Sequence, residues 1–209
     1  MLEAAYIDNG VEGLARMFRA NQRVRYTPLP VTSNFSPDLD PFDLLIVPNG
    51  SDHVAMARIA PKIHRFLDQG KTLFCFDGWT TNWVPGNTWV YDCSKPTKEI
   101  RYFEGTDRHG LLKGVPMDEL VFMHGISGWW ACGYIEAGEG ADVLLADTWD
   151  RAIIVVDERT TAGTMILTAS GPLADCDIDG EETGLSLLYR HFLELAAGRA
   201  AAIGEGRAG

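Results

Sequence analysis

Short apolar runs and helically spaced apolar residues alternate along residues 1–76. Continuous apolar runs are typical of strands covered on both faces, and apolar residues three and four positions apart are typical of an amphipathic helix. The runs predict strands at Glu3–Ile7, Arg23–Leu29, Leu44–Val47 and Lys71–Phe76, and the spacing predicts helices at Val11–Asn21 and after His53. This βαββαβ order predicts an α/β fold with an open, mostly parallel sheet in three layers.

Two residues refine the second predicted helix. Pro61 fits best in the first turn of a helix, where its missing N–H costs no hydrogen bond. We therefore expect the regular helix to begin near Ala60. Gly70 is typical of the residue that ends a helix.

The second half of the chain has a weaker pattern. Residues 79–121 are rich in Gly, Pro and aromatic residues, and we interpret them as an irregular insertion. Five later segments predict strands that extend the sheet, in part antiparallel: Asp118–His124, Gly133–Ala137, Ala141–Asp147, Arg151–Glu158 and Gly163–Ser170. Gly184–Gly198 predicts a final amphipathic helix. We expect one domain over residues 1–198 and a flexible tail over residues 199–209.

Charge and composition narrow the possible partners. The formal net charge is −11, without a run of Lys or Arg, so binding to nucleic acid is not expected. No apolar window approaches the length of a membrane span, and the start of the chain does not resemble a signal peptide. The four cysteines form no CxxC pair, so we expect reduced thiols and no bound metal. We expect a cytoplasmic protein without a cofactor.

Polar residues follow the predicted parallel strands, where α/β proteins bind their ligands. The candidate ligand-binding residues are Asn9, Asn49, Gly50, Ser51, Gly78, Trp79, Trp129 and Ser170, and the candidate catalytic residues are Asp77, His124 and His53. Asp, Asn, Gly and Ser also end strands for purely structural reasons. We favour that structural interpretation for Asp8, Asn9 and Asp52, and the two interpretations of Asp77 are equally supported.

Two stretches resemble a known family. "FDLLIVPNGSDH" and "IHRFLDQGKTLFCFDGW" resemble the core of the class I glutamine amidotransferase-like superfamily, and "TTAGTMILTASGPL" resembles its closing strand and catalytic turn. The superfamily includes the amidotransferases, the trehalose-utilisation (ThuA-like) proteins and the trimerisation domains of some β-galactosidases. The resemblance implies a flavodoxin-like, amidotransferase-like sheet with a sharp turn after Phe76.

The chain departs from the family at all three catalytic positions. The family's nucleophilic cysteine aligns with Asp77, and its His-Pro-Glu turn aligns with Gly171, Pro172 and Leu173. Cleavage of glutamine needs a thiolate and a proton-shuttling histidine. The resemblance therefore implies the family's fold without its glutaminase activity.

Two functions remain open from the sequence. The first is a small-molecule, carbohydrate-like binding or assembly domain that forms a homo-oligomer or serves as a partner enzyme subunit. The second is a hydrolase or lyase acting on a small polar substrate. In that enzyme Asp77 would be nucleophile or base, His124 or His53 would carry the proton, and the Asn49–Gly50 turn would stabilise an anion.

Two further sequence features have a structural interpretation as well as a functional one. The spacing of Asp175, Asp177 and Asp179 matches the start of a calcium loop, but Ser186 stands where a bidentate glutamate is required. We therefore favour a solvated acidic loop. The tryptophan-rich segments suit a sugar platform and an oligomer contact equally well.

Overall fold

A computed structural model describes residues 1–19, 21–76, 78–123, 126–127, 129–171, 173 and 183–208, and the structural statements below concern these residues. The strands are β1 Leu2–Asp8, β2 Val24–Pro30, β3 Leu44–Val47, β4 Thr72–Phe76, β5 Thr88–Tyr91, β6 Tyr102–Glu104, β7 Phe122–Met123, β8 Ile126–Ser127, β9 Gly133–Glu136, β10 Asp142–Asp147, β11 Ala152–Asp157 and β12 Thr164–Thr168. The helices are α1 Glu12–Ala15, α2 His53–Asp68, α3 Met117–Val121 and α4 Gly184–Ala208.

The parallel part of the sheet has the strand order β2-β1-β3-β4-β12. This is the flavodoxin-like order, in which the chain reverses its direction of travel across the sheet between β1 and β3. All residues of β3 and β4 are buried, as their uninterrupted apolar runs predict. The predicted α/β sheet is therefore confirmed.

The antiparallel part continues the same sheet beyond β12. β11 pairs with β12, β10 pairs with β11, and β6 pairs with β10, all antiparallel. β9 joins β11 at one residue pair and carries β5 on its other edge. Within the described residues the sheet thus has ten strands, and the predicted antiparallel extension is confirmed.

Helices cover both faces of the parallel strands. The ring of Phe74 in β4 packs against Tyr189 and Phe192 of α4, with ring centroids 6.3 and 5.8 Å apart. The next residue, Cys75, points to the opposite face, where it lines a small cavity with Met56 of α2. This arrangement makes three layers. None of the helices in the described part of the chain is both long and apolar enough to cross a membrane.

Two helices differ from their predicted bounds. α1 contains only Glu12–Ala15 instead of Val11–Asn21. α2 begins at His53 instead of near Ala60, because the side chain of Asp52 accepts a hydrogen bond from the N–H of Ala55 and caps an extra first turn. Pro61 therefore lies inside α2, where a proline removes one helical hydrogen bond.

The weakly patterned segments contain further regular elements. Residues 79–121, predicted as an irregular insertion, contribute β5 and β6 to the sheet. The predicted strand Asp118–His124 begins as helix α3, with Pro116 at its N-cap position. Residues 199–208 continue α4. Cδ1 of Ile203 lies 3.3 Å from the position that a Cβ atom on Gly70 would take. Short apolar segments do not distinguish helix from strand, and tertiary packing decides between them.

Candidate functional site

The loops after β1 and β3 meet at the carboxyl edge of the sheet. Asn9 donates a hydrogen bond from Nδ2 to the backbone carbonyl of Asn49, over 3.2 Å. The Oδ1 atom of Asn9 accepts from the N–H of Val11, and Oδ1 of Asp8 accepts from the N–H of Gly10. These short side chains fix the loop after β1 and attach it to the loop after β3.

The loop after β3 is shaped by three consecutive residues. Gly50 has a φ of +75°, which favours glycine. The buried Ser51 donates its hydroxyl proton to the carbonyl of Pro48, over 2.6 Å, and Asp52 caps α2. Ser51 therefore stabilises the loop after β3, and its hydroxyl proton is already engaged in a hydrogen bond.

An open crevice of about 540 Å³ lies above these two loops. Its lining residues are Asp8, Asn9, Gly10, Pro30, Val31, Gly50 and Asp52. The crevice stands where the strand order reverses between β1 and β3, which is the usual ligand position in this class of sheet. Burial, with a further contribution from the charge of Asp8, raises the pKa of the neighbouring Tyr6 above its usual value.

The space beside the end of β4 is filled. Gly78 has a φ of +81°, and Trp79 and Trp83, which follow it, are only 3% and 1% exposed. They leave a cavity of about 10 Å³ against His53 and Phe76. That volume suits at most one water molecule. Gly78 and Trp79 thus shape and fill the end of β4, and Trp79 presents no open ring face.

The structure describes only His53 among the three candidate catalytic residues. Asp77 and His124 lie outside the described residues, as does the Asp175–Asp179 segment. His53 is half-buried at the first position of α2, lines the small cavity, and accepts a 3.4 Å hydrogen bond at its carbonyl from Thr81. In the described part of the chain no three His, Cys, Asp or Glu side chains are grouped as a metal site would require.

The closing turn after β12 packs tightly onto the two neighbouring strand ends. The buried Ser170 donates from Oγ to the carbonyl of Trp130, over 2.9 Å. A Cβ atom added to Gly171 would lie 3.1 Å from Oδ1 of Asn49 and 3.2 Å from Cβ of Phe76. A larger side chain at position 171 would therefore require its neighbours to move.

Asn49 contributes a polar atom without a visible partner. Its Oδ1 is buried and accepts no hydrogen bond from the described residues. Unsatisfied buried acceptors are uncommon and often lie at functional positions. This acceptor lies beside Gly171, at the centre of the carboxyl edge.

Trp129 occupies a different environment from the crevice. It is 5% exposed and packs edge-on against Tyr102, with ring centroids 5.7 Å apart. Its ring is therefore a core element without an open face for stacking. The structure brings Asn9, Asn49 and Gly50 together, whereas Trp129 belongs to the antiparallel part.

The sequence favours structural roles for Asp8 and Asp52, and both also line the crevice. Asp8 is the last residue of β1 and Asp52 ends the loop after β3, so their shared sequence signal is their position at the carboxyl edge. The capping bonds of Asp8 and Asp52 are present as expected. A carboxylate has acceptor capacity for several hydrogen bonds, so capping does not exhaust it.

Comparisons with known proteins identify similar folds at low sequence identity. No family model matches the chain, and no curated protein matches it. Among solved structures, cytoplasmic protein STM3548 from Salmonella typhimurium has a TM-score of 0.61 at 12% identity, over 93% of this chain and 98% of that one. Cytoplasmic protein STM1381 from Salmonella typhimurium LT2 has a TM-score of 0.54 at 12% identity, over 92% and 96%.

A third similar structure is part of a much longer enzyme chain. A catalytic mutant of Gan42B, a GH42 β-galactosidase from G. stearothermophilus, has a TM-score of 0.51 at 11% identity. The match covers 93% of this chain and 30% of that one. At these identities the similarities show a shared fold, which agrees with the flavodoxin-like strand order, and they leave function to the site itself.

Proposed function

We propose that this protein is a non-glutaminase domain that binds a small, hydroxyl-rich, carbohydrate-like molecule in the crevice between the ends of β1 and β3. The observation that carries the proposal is a difference in free volume between two places at the carboxyl edge of the sheet. The crevice lined by Asp8, Asn9, Gly50 and Asp52 is open, with a volume of about 540 Å³. The space beside the end of β4 is filled by Trp79 and Trp83.

The side chains that line the crevice favour a ligand that donates hydrogen bonds. Carboxylate and amide oxygens accept protons from hydroxyl groups, and Asp8, Asn9 and Asp52 supply such oxygens. A net charge of −11 disfavours an anionic ligand. A neutral or cationic molecule with several hydroxyl groups, such as a sugar or polyol, meets both conditions.

The proposed absence of glutaminase activity is argued from the closing turn after β12. Gly171 and Leu173 have no ionisable side chain, and Leu173 is fully buried. The Cβ position of Gly171 is already crowded by Asn49 and Phe76. A proton-shuttling histidine at position 171 would not fit without rearrangement, which supports a binding role.

A panel of neutral sugars, polyols and amino sugars would test the proposal through ligand-induced changes in Tm and by calorimetry. We expect at least one compound to bind, and we expect Asp8→Asn to weaken its binding about tenfold, because an acceptor becomes partly a donor. Asp68→Asn makes the same change of charge at the exposed end of α2 and is expected to leave binding unchanged. Equal binding by wild type and Asp8→Asn would reject the crevice as the site.

An assembly role is the second part of the proposal. The Gan42B match occupies 30% of a longer β-galactosidase chain, and the exposed Tyr91 and Phe103 give this protein aromatic surface, at 69% and 55% exposure. Aromatic side chains are enriched at interfaces. We propose a homo-oligomer or a partner enzyme subunit in the cytoplasm. Light scattering after size exclusion should show a mass above 23.0 kDa that Phe103→Ser lowers, and a monomeric wild type would reject the homo-oligomer.

A hydrolase or lyase is the alternative function, and His53 is its described candidate residue. His53 lines the small cavity with Phe76, the residue before Asp77 in the sequence. Because that cavity holds only about 10 Å³, Trp79 or Trp83 would have to move to admit a substrate. In this alternative Asp77 acts as nucleophile or base, and His53 or His124 carries the proton. Turnover of a glycoside or polyol substrate that both Asp77→Asn and His53→Gln abolish would support it. Activity that survives Asp77→Asn would exclude it.

A further inference from the structure

A groove of about 550 Å³ lies on the antiparallel part of the sheet, and it shares no lining residue with the crevice between β1 and β3. Its lining residues come mainly from β6, β9 and β10 and from the turn between β10 and β11. Phe103 of β6 and Tyr134 of β9 give it two aromatic rings, and Phe103 is 55% exposed. A groove of this volume is large enough for a small molecule.

Two carboxylates in the lining of the groove are unpaired. Glu104 and Asp150 both line the groove, and both are exposed. Among the described residues neither of these side chains has an ion-pair partner. An ionised carboxylate accepts several hydrogen bonds and donates none. The two side chains therefore offer negative charge and free acceptor oxygens to a ligand.

The positive charge of Arg151, which also lines the groove, is already balanced. Its guanidinium donates to Oδ2 of Asp147 over 2.8 Å and to Oδ2 of Asp92 over 2.8 Å. Two carboxylates held against one guanidinium leave a net negative charge at this place. Arg151 therefore does not make the groove repel a cation.

Aromatic rings in this part of the molecule already contact positive charges. The guanidinium carbon of Arg151 lies 5.6 Å from the ring centre of Tyr134 and 5.1 Å from that of Trp149. Nζ of Lys95 lies 5.6 Å from the ring centre of Trp149. All three distances are within the range of about 6 Å at which a cation is attracted to a ring face. The aromatic groups of the antiparallel part thus suit a cation.

The distribution of charge along the chain favours the same class of ligand. Residues 1–76 carry eight basic and eight acidic side chains, whereas residues 77–209 carry 10 basic and 21 acidic ones. The whole net charge of −11 therefore lies in the second segment, to which every lining residue of the groove belongs. A negative field of this kind raises the local concentration of cations and disfavours anions.

We propose that this groove binds a small organic ammonium ion. Glu104 and Asp150 attract its positive charge, and the rings of Phe103 and Tyr134 contact its carbon substituents. A metal ion fits less well, since no three His, Cys, Asp or Glu side chains of the described residues are grouped to hold one. The groove is a separate site from the crevice, and it lies beside the interface that we propose at Phe103.

A matched pair of probes tests the dependence on charge. Choline carries a quaternary ammonium group, and neohexyl alcohol has the same shape with carbon in place of nitrogen. We expect calorimetry on the full-length chain at constant ionic strength to give a Kd for choline on the order of 1 mM. The alcohol should bind at least about tenfold more weakly, because it lacks the charge. Amide chemical-shift changes with choline should concentrate in β6, β9 and β10.

Variants of the lining residues test the position of the site. Glu104→Gln combined with Asp150→Asn should weaken choline binding about tenfold. Asp150 has a φ of +61°, which asparagine also adopts, so this change keeps the turn. Glu99→Gln removes an exposed carboxylate outside the groove and should leave binding unchanged. Tyr134→Leu should weaken binding about fivefold, and Tyr134→Phe, which keeps the ring, should not.

Several outcomes would overturn the proposal. Equal binding of choline and neohexyl alcohol would show that charge is not recognised, and undiminished binding by the double variant would exclude the two carboxylates. Shifts confined to the loops after β1 and β3, or a weakening by Asp8→Asn, would place the cation in the crevice instead. A fall in mass by light scattering when choline is added would show that a second copy of the chain occupies the groove.

Discussion

The parallel and antiparallel parts of the sheet join distant segments through different side chains. At the carboxyl edge of the parallel part, Ser51 and Asp52 bond to backbone groups three residues away. The neutral amide of Asn9 there reaches the carbonyl of Asn49, 40 positions away. In the antiparallel part, the carboxylate of Asp157 accepts from Asn87, 70 positions away, and Arg151 pairs with Asp92, 59 positions away. A neutral hydrogen bond therefore joins the two loops of the crevice, whereas ionised side chains join distant segments of the antiparallel part.

The crevice and the surroundings of Arg151 differ in the same way. The loops after β1 and β3 are joined by the hydrogen bond from Asn9 and leave about 540 Å³ open above them. Arg151 is instead enclosed by Asp92, Asp147 and Trp149, with its guanidinium carbon 5.1 Å from the centre of a tryptophan ring. This polar network stabilises the antiparallel part, and Arg151 also lines a second open groove there, of about 550 Å³.

Removing the buried carboxylate of Asp157 should give the largest loss of stability. Asp157 is 0% exposed and accepts hydrogen bonds from Asn87, Arg159 and Thr160. We expect Asp157→Ala to lower the free energy of unfolding by about 3–4 kcal/mol, because the buried amide of Asn87 and the partly buried N–H groups of Arg159 and Thr160 lose their acceptor. Urea unfolding measures this change. Asp68→Ala, at an exposed position, should change stability by less than about 0.5 kcal/mol, and an equal loss in both variants would contradict the long-range role of Asp157.

Crowding at the closing turn should give the next largest effect, in the parallel part. Gly171→Ala places a Cβ 3.1 Å from Oδ1 of Asn49 and 3.2 Å from Cβ of Phe76, so we expect a loss of about 1–3 kcal/mol. Gly198→Ala is the matched control. It lies within α4 with no atom within 4 Å of its added Cβ, so we expect a gain of about 0.5–1 kcal/mol. Thermal unfolding of both variants compares them, and a neutral Gly171→Ala would show that the turn is loosely packed.

Loss of a local cap should have a smaller effect than either change. Asp52→Ala removes the acceptor for the N–H of Ala55, and we expect a loss of about 1 kcal/mol. Asp52→Asn keeps an oxygen acceptor and should recover most of this stability. Urea unfolding of the pair would reveal a different role for Asp52 if Asn and Ala were equally destabilising.

The smallest expected effect is the dependence of the free energy of unfolding on pH. Burial opposes ionisation of Asp157, but hydrogen bonds from Thr160, Asn87 and Arg159 outweigh it and lower its pKa below the ordinary value of 3.8. A lowered pKa in the folded state means that the stabilising contribution is complete above pH 3.8 and is lost as pH falls below it towards the folded-state value. Urea unfolding of wild type and Asp157→Asn over this range should therefore show a difference that shrinks with falling pH. A difference that stays constant would show that the ionised form is not specifically stabilised.

The parallel core was predictable from local sequence, and the antiparallel part was only partly so. The apolar runs at Leu44–Val47 and Leu73–Phe76 are uninterrupted, so burial on both faces follows directly from them. β5 and β6 bury only one residue each, and neither carries such a run. No local period distinguishes such segments from an insertion.

The candidate site shows the same division. The positions of Asn9, Asn49 and Gly50 at one edge follow from the order of strands and loops. The burial of Trp79 and Trp129 does not, because an aromatic residue near a strand end suits both a stacking surface and a core. The contacts of Asp52 and Pro61 likewise appear only when the start of α2 is seen in three dimensions.

The sequence by itself determined the parallel α/β core, the polar character of its carboxyl edge and the absence of ionisable side chains at positions 171 and 173. These properties depend on residue type and on short-range periodicity, which the chain carries whatever its distant contacts. Only the tertiary structure decided that the crevice lies between β1 and β3 and that tryptophans fill the end of β4. Those outcomes depend on which distant residues come within a few ångströms of one another, and no local pattern encodes that distance.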